Sequence, residues 1–342
     1  MTGEPITLEN LASLTAIVPL DLQFRAKDIV AKAKAMAVAA EKHSLNIIFS
    51  HNDRGTRFDS ELKKHFSAQK HSTLVSGKFY EDAVNSALLR NIAFSKVTTD
   101  YLVLLDVDLW LDTDLLKKYF APVKFGLKAF TILPCLYLSQ SGSKALISGK
   151  KTAQTLCEDY FSFSRKEFLH LANPSSVIIM LCEDYKSLTG FNTDFIGHGY
   201  EDFDFMIRLA SKHAQIKTSP DFFDHTTARS PLFAQGFRRE LGRLCLSPLI
   251  EKDFFLHIFH KKTPESENYY SLRKRNYMLF CKLHQSMTCG STPKDQTLIT
   301  EFVETCISLG KSINDYSIYF ENKPGHIDRY DTFKRRLKFL MQ

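Results

Sequence analysis

The sequence predicts an α/β domain with a mostly parallel central sheet, followed by a helical C-terminal extension. Three observations carry this expectation. Apolar strand-like runs alternate with amphipathic helical stretches, carboxylates gather where one such run ends, and beyond Lys262 the pattern changes to long polar segments with helical character.

Residues 13–19 read as a first strand, 25–43 as an alanine-rich helix and 45–49 as a second strand, which opens a βαβ alternation. A helix over 80–95 precedes a strand over 101–105. A short helix over 113–120 follows, with Asp112 as its cap. Residues 130–138 form a further strand, and the polar, turn-rich stretch 139–151 is expected to be a mobile loop. Residues 176–180 are a core strand. Over 201–213, Phe205, Met206, Leu209 and Ala210 recur at helical spacing. Segments 267–285 and 296–309 are helical in pattern, so the expected division is a catalytic-type domain over 1–262 and an extension over 263–342.

A chain of 342 residues is long enough to bury a substantial core. No run of about 18 apolar residues occurs, and the N-terminus lacks the basic-then-apolar build of a secretory signal. The expected location is therefore the cytoplasm. The seven cysteines are odd in number and scattered without a CxxC pair, which points to reduced thiols. A net charge of +7 suits an anionic partner without choosing one. Basic and aromatic residues interleave late in the chain but match no nucleic-acid-binding signature, so nucleic acid is not an expected partner.

Three patches carry chemistry. Asp106-Val107-Asp108 follows the apolar run Tyr101 to Leu105, and strand alternation would aim both acids at one site. Ligands of open α/β sheets gather at strand carboxyl ends, so the position suits a diphosphate bridged by a divalent ion. The second patch is Gly190-Phe191-Asn192 with Gly197-His198-Gly199-Tyr200-Glu201-Asp202-Phe203-Asp204. Its glycines permit tight turns, and its acids fall in the first turn of a helix, where the dipole favours ionised carboxylates and one can serve as a general base. Simple capping by acids accounts for one or two of them but not for the glycines and Phe191. The third patch is His257 and His260, which can meet at one side of a turn and complete an oxygen-rich metal site. Taken singly, each of the twelve histidines reads as an ordinary residue.

The second patch, with Arg208-Leu209, resembles the GF(N/P)…GWGxEDxDxxxRL signature of β-1,4-galactosyltransferases, of bacterial chondroitin polymerase domains and of capsule-biosynthesis glycosyltransferases. The resemblance runs from about Ile17 to His260. It implies a GT-A fold (nucleotide-diphospho-sugar transferase, Rossmann-like), an inverting mechanism, and a UDP-sugar donor held by Mn²⁺ or Mg²⁺. Carried over by position, it makes Asp108 and His260 metal ligands, sets Asp106 near the ribose and metal, and lets His257 add a ligand where galactosyltransferases have methionine. Asp202 becomes the catalytic base and Glu201 an acceptor-holding acid. Pro19, Asp21, Arg90, Asn91, Asp106, Val107, His198 and Gly199 fall on the donor side. Two departures stand out: His198 replaces a tryptophan, and Ser175-Ser176 occupy a place often held by two glycines.

The expected acceptor is a growing oligosaccharide or polysaccharide of a bacterial capsule, contacted by Glu201, Asp202 and a basic edge at Arg238 and Arg239. By the same resemblance, the position near Asn173 lies about where an aromatic residue restricts galactosyltransferases to an unsubstituted hexose, and a smaller side chain there would leave room for an N-acetyl group, favouring N-acetylhexosamine over galactose. The tail 333–340 joins basic residues to Phe333, Leu337 and Leu340, which raises peripheral inner-membrane or capsule-complex association against a plain packing helix. The rival functions are a non-catalytic glycan-binding or scaffolding subunit and a sugar nucleotidyltransferase. The second would want a glycine- and lysine-rich loop after the first strand, and residues 18–23 have none.

Overall fold

A computed structural model describes residues 10–67, 69–164, 166–224, 228, 230–261, 271–291 and 297–321. The tail 333–340 lies outside the described residues. In chain order the elements begin β1 (Leu14–Asp21), α1 (Ala26–Lys42), β2 (Asn46–Asn52), α2 (Arg57–Phe66), β3 (Ser72–Gly77), α3 (Ser86–Phe94), β4 (Tyr101–Leu104), β5 (Leu109–Trp110) and α4 (Thr113–Lys124). They continue with β6 (Phe130–Leu138), α5 (Gln140–Ile147), α6 (Ala153–Phe161), β7 (Phe168–Leu181), α7 (Cys182–Ser187) and α8 (Glu201–Lys212). The last are α9 (Gly236–Arg243), α10 (Leu246–Ile250), β8 (Phe255–His257), α11 (Arg273–Leu283) and α12 (Ile299–Ser308).

The chain divides into two compact units. The first comprises Met1–Thr131, Ser176–Ala214 and Lys261–Leu283, the second Ile132–Ser175, Gln215–His260 and His284–Gln342. The stretch expected as one C-terminal extension is thus shared between them, with α11 in the first unit and α12 in the second.

In the first unit the strand order is β3-β2-β1-β4-β7. β1 runs parallel to β2 and β4, β2 parallel to β3, and β4 antiparallel to the last residues of β7. This is the expected mostly parallel α/β arrangement. Residues 14–18 of β1 are buried on both faces, as a central strand covered by helices requires. α1 turns Ile29, Val30, Ala33, Met36, Ala37 and Ala40 inward. The expected helix over 80–95 starts later, at Ser86. Asn52 accepts the backbone N–H groups of Phe79 and Tyr80, which holds them outside the helix, and Asn85 then caps the helix by accepting from Leu88 N–H.

In the second unit β6 pairs in parallel with β8, setting Tyr137 opposite His257. Its core joins Leu136, Leu156, Tyr160, Phe168, Leu249, Phe302 and Tyr319 among others. The expected mobile loop over 139–151 is instead largely the helix α5. The Ser139 hydroxyl caps it by accepting from Gly142 N–H, and Ser143 and Leu146 are buried. The serine and glycine content that reads as turn chemistry serves here as a cap and as a close approach, since a Cβ on Gly142 would collide with the Glu167 carbonyl. Among the described residues none of the seven cysteines forms a disulfide. Among the described residues no helix is long and apolar enough to cross a membrane.

Candidate active site

The first unit gathers the two acidic patches through one buried side chain. Arg90, on α3, is 2% exposed. Its Nη2 donates to Asp106 Oδ1 at 2.8 Å, and its Nη1 lies 3.1 Å from Asp202 Oδ1. The face of Phe191 lies against the same guanidinium, 4.9 Å from its centre, in a cation–π contact. On its other oxygen Asp106 accepts from the Ser176 hydroxyl at 2.7 Å. One serine of the pair that replaces two glycines therefore orients the first acid of the triplet.

Asp108 takes different partners. It accepts from both terminal nitrogens of Arg25, at 3.0 and 2.7 Å, and from Lys32 at 2.7 Å. The strand whose alternation would aim the two acids at one site stops before them. β4 ends at Leu104, and Leu109 N–H bonds back to Asp106 C=O, so the triplet lies in a turn where period-two geometry does not apply. Val107 itself is buried.

The glycine-flanked acidic turn is built as its composition suggests. Gly190 has φ of 68°, and a Cβ there would collide with Asn91 Oδ1. Asn91 donates to Phe191 C=O and accepts from Phe191 N–H and the Tyr185 hydroxyl. Its amide is thus spent on the turn, which corrects the expectation of a donor contact. Phe191 stacks on Phe205 with centroids 4.5 Å apart and planes 7° apart. Arg208 closes the motif by donating to Leu188 C=O, Gly190 C=O and Asp204.

Gly197, Gly199 and Tyr200 all have positive φ just before α8. Tyr200 is held in that strained conformation by packing on Tyr277 and Phe280 of α11, with Arg273 over its ring at 5.0 Å. Asn276 of α11 donates to the carbonyls of Ile196 and Gly199. α11 is therefore a brace for the acidic turn, a role its polar sequence did not reveal. His198 and Gly199 lie half-buried in this turn.

Burial and like charge set the electrostatics. Glu201 is buried, and desolvation followed by repulsion from Asp202 pushes its carboxyl well above the ordinary range. Desolvation also raises Asp202, opposed by Arg90 and reinforced by Asp106. For Arg90, burial works against the charge, yet the fields of Asp202, Asp106 and Glu201 outweigh it and hold the guanidinium protonated. Glu201 Oε2 is a buried atom without a hydrogen-bond partner among the described residues, whereas Asp202 Oδ1 is met by the Arg90 ion pair. Such an orphaned acceptor is costly unless a substrate group meets it.

Of the remaining donor-side expectations, Asp21 accepts from Arg54 through both oxygens, at 2.8 Å each, and from the Tyr80 hydroxyl at 2.9 Å. Pro19 is half-buried in β1 opposite Ser50.

The second unit holds the histidines. The His257 ring stacks on Tyr137 at 4.0 Å, Tyr137 stacks on His170 at 4.2 Å, and the His260 ring lies 5.5 Å from that of His257. The three-residue spacing does bring the two imidazoles together. Phe259 N–H donates to Ser143 of α5, which anchors the loop between them. Arg239 corrects the expected basic edge: it is wholly buried and donates to Asp221 and Glu240. A charge spent on buried partners cannot meet an acceptor in solvent. Arg238, half-buried, lies over the Phe237 ring at 4.6 Å.

A family model described as "Glycosyltransferase like family 2" matches residues 23–284. No curated protein matches the chain by sequence. Among solved structures, S. aureus TarS 1–349 is similar at 10% identity and a TM-score of 0.36, over 57% of this chain and 54% of that one. The catalytic domain of Drosophila β1,4-galactosyltransferase 7 in complex with xylobiose is similar at 16% identity and 0.33, over 58% and 61%. Mannosyl-3-phosphoglycerate synthase from Rubrobacter xylanophilus is similar at 14% identity and 0.35, over 58% and 61%. The chain spans less than two thirds of the length of each.

Proposed function

The chain belongs to glycosyltransferase-like family 2, and from that premise we propose an inverting, metal-dependent hexosyltransferase that moves a sugar from a UDP-sugar to a growing capsular or surface polysaccharide. N-acetylhexosamine is the favoured sugar, with galactose next. The observation that carries this reading is the Arg90 cluster. One buried guanidinium holds both the first acid of the DxD triplet and the acid expected to be the base.

Asp202 takes the proton of the acceptor hydroxyl as that oxygen attacks the anomeric carbon from the face opposite the diphosphate, which inverts the configuration. Its raised proton affinity makes it a stronger base than an exposed aspartate. Glu201, buried beside a like charge, keeps its proton and donates a hydrogen bond to the acceptor. Arg90 holds the Asp202 carboxylate in place and offsets the charge of Asp106 beside it.

The proposed metal ligands are those the sequence resemblance implies, Asp108 and His260, with His257 as an added ligand. A carboxylate with two imidazoles is a mixed hard and borderline set that accepts Mn²⁺ and suits Mg²⁺ less well. Within its unit Asp108 already attracts two cationic groups, and within theirs the two histidine rings lie close together, so the residues fit a divalent ion. When bound, the ion neutralises the diphosphate and stabilises it as a leaving group. Attachment to a membrane surface or a capsule-assembly complex is part of the proposal through the basic C-terminal tail.

The test is UDP release by the purified chain from UDP-N-acetylglucosamine, UDP-N-acetylgalactosamine and UDP-galactose, with oligosaccharide acceptors. Release from at least one donor, stimulated by Mn²⁺ and abolished by chelation, is expected. Turnover undiminished by exhaustive chelation would overturn the metal-dependent reading.

A further inference from the structure

Arg25, the residue before α1, and Asp28 and Lys32, in its first two turns, are spaced i, i+3 and i+7. All three converge on Asp108 or on each other. Arg25 grips Asp108 with both terminal nitrogens, and Lys32 donates to the same carboxylate. Both cations also reach Asp28 Oδ2, Arg25 at 2.7 Å and Lys32 at 3.1 Å. The Arg25, Lys32 and Asp108 side chains are 19%, 10% and 9% exposed, so their charges are only partly screened by water.

Within this quartet two positive and two negative charges cancel. A divalent cation on Asp108 leaves two positive charges in excess, and Arg25 and Lys32 a few ångström away oppose it. A nucleotide-sugar diphosphate carries two negative charges. A guanidinium fork and an ammonium are the side chains that bind phosphate oxygens, the first bidentately and the second as a point charge.

We propose that Arg25 and Lys32 are diphosphate-binding residues which occupy Asp108 until cation and donor arrive together, so that each ligand binds poorly without the other. This rests on the metal-and-donor reading above and adds to it two binding residues and an order of events. By linkage, the factor by which UDP tightens Mn²⁺ is the factor by which Mn²⁺ tightens UDP. A purely structural ion-pair network would produce no such charge-dependent coupling.

The experiment is titration calorimetry with MnCl₂ alone, UDP alone and the two together, on wild type, Lys32→Met and Asp28→Asn, with thermal melts to confirm folding. Lys32→Met removes a competing cation. It should tighten nucleotide-free Mn²⁺ binding about tenfold and weaken UDP in the presence of Mn²⁺ by a similar factor, the order expected for one nearby charge. Asp28→Asn leaves the quartet positive and should shift nucleotide-free Mn²⁺ binding the opposite way. Asp28 is 41% exposed, so that variant disturbs no core. Nucleotide-free Mn²⁺ affinity unchanged or weakened in Lys32→Met, with wild-type UDP binding still Mn²⁺-dependent, would overturn the inference and leave the metal reading standing. Wild-type UDP binding independent of Mn²⁺ would overturn both.

Discussion

Asp202→Asn lowers the rate of sugar transfer by about 10²- to 10⁴-fold, the range general-base catalysis supplies, while UDP binding stays close to wild type. Asparagine keeps the size of the side chain and an oxygen for Arg90, but it cannot accept a proton at neutral pH. Donor binding is spared because Asp106 and Asp108 are untouched. The wild-type rate should rise with pH through an interval above the ordinary carboxylate range, since burial raises Asp202 and Arg90 only partly opposes it. In Asp202→Asn that limb disappears. Single-turnover rates across pH 5–9, with calorimetric UDP affinities, check both parts. A variant that transfers at the wild-type rate, or loses UDP binding along with turnover, would remove Asp202 from the role of base.

Arg90→Met should cost the fold about 3 kcal/mol. Breaking a buried ion pair from one side costs roughly 3–5 kcal/mol. The lower end applies because the Asp106 and Asp202 side chains are 36% and 29% exposed, and water meets part of the stranded charge. The loss should depend on pH with a definite sign. Arg90 lowers the proton affinity of Asp202 and Glu201, so without it both carboxyls rise further above their unfolded values near 4. A group whose folded pKa is raised favours folding while protonated, and that advantage is lost as pH climbs from the unfolded value through the folded one. The deficit of Arg90→Met should therefore be smaller at pH 5 than at pH 8. Urea midpoints of wild type and variant at the two pH values measure it. A deficit that grows on acidification would contradict the electrostatic role.

Much of this architecture was legible before any coordinates. The alternation β1-α1-β2, the strands β4 and β6 and the helix α8 all show apolar residues at strand or helical period. α2 was missed because it is mostly charged, with only Leu62 and Phe66 as buried apolar residues, and β3 because five of its six residues are exposed or half-buried. The site divides the same way. Asp106 and Asp202 could be named from local motifs, but Arg90 as the link between them, Ser176 as the partner of Asp106, and α11 as the brace of Tyr200 are tertiary facts. The resemblance puts Asn91 on the donor side and a run of basic residues suggests an edge at Arg239, but neither signal shows where a side chain's hydrogen bonds go. The partners of both lie far off in sequence, about 100 residues for Asn91 and 18 for the Arg239–Asp221 pair. Arg25 and Lys32 had one readable signal, their i, i+7 spacing at the start of α1 with Asp28 between them.

The proposed cation shell joins one aspartate to two histidines, and electron–nuclear double resonance on Mn²⁺ bound with UDP reads that shell directly. In protein labelled with ¹⁵N-histidine, the account predicts couplings from two histidine nitrogens. One should vanish in His257→Ala and the other in His260→Ala, and Asp108→Ala should no longer retain the ion. A tightly bound Mn²⁺–UDP complex without any histidine nitrogen coupling would contradict it.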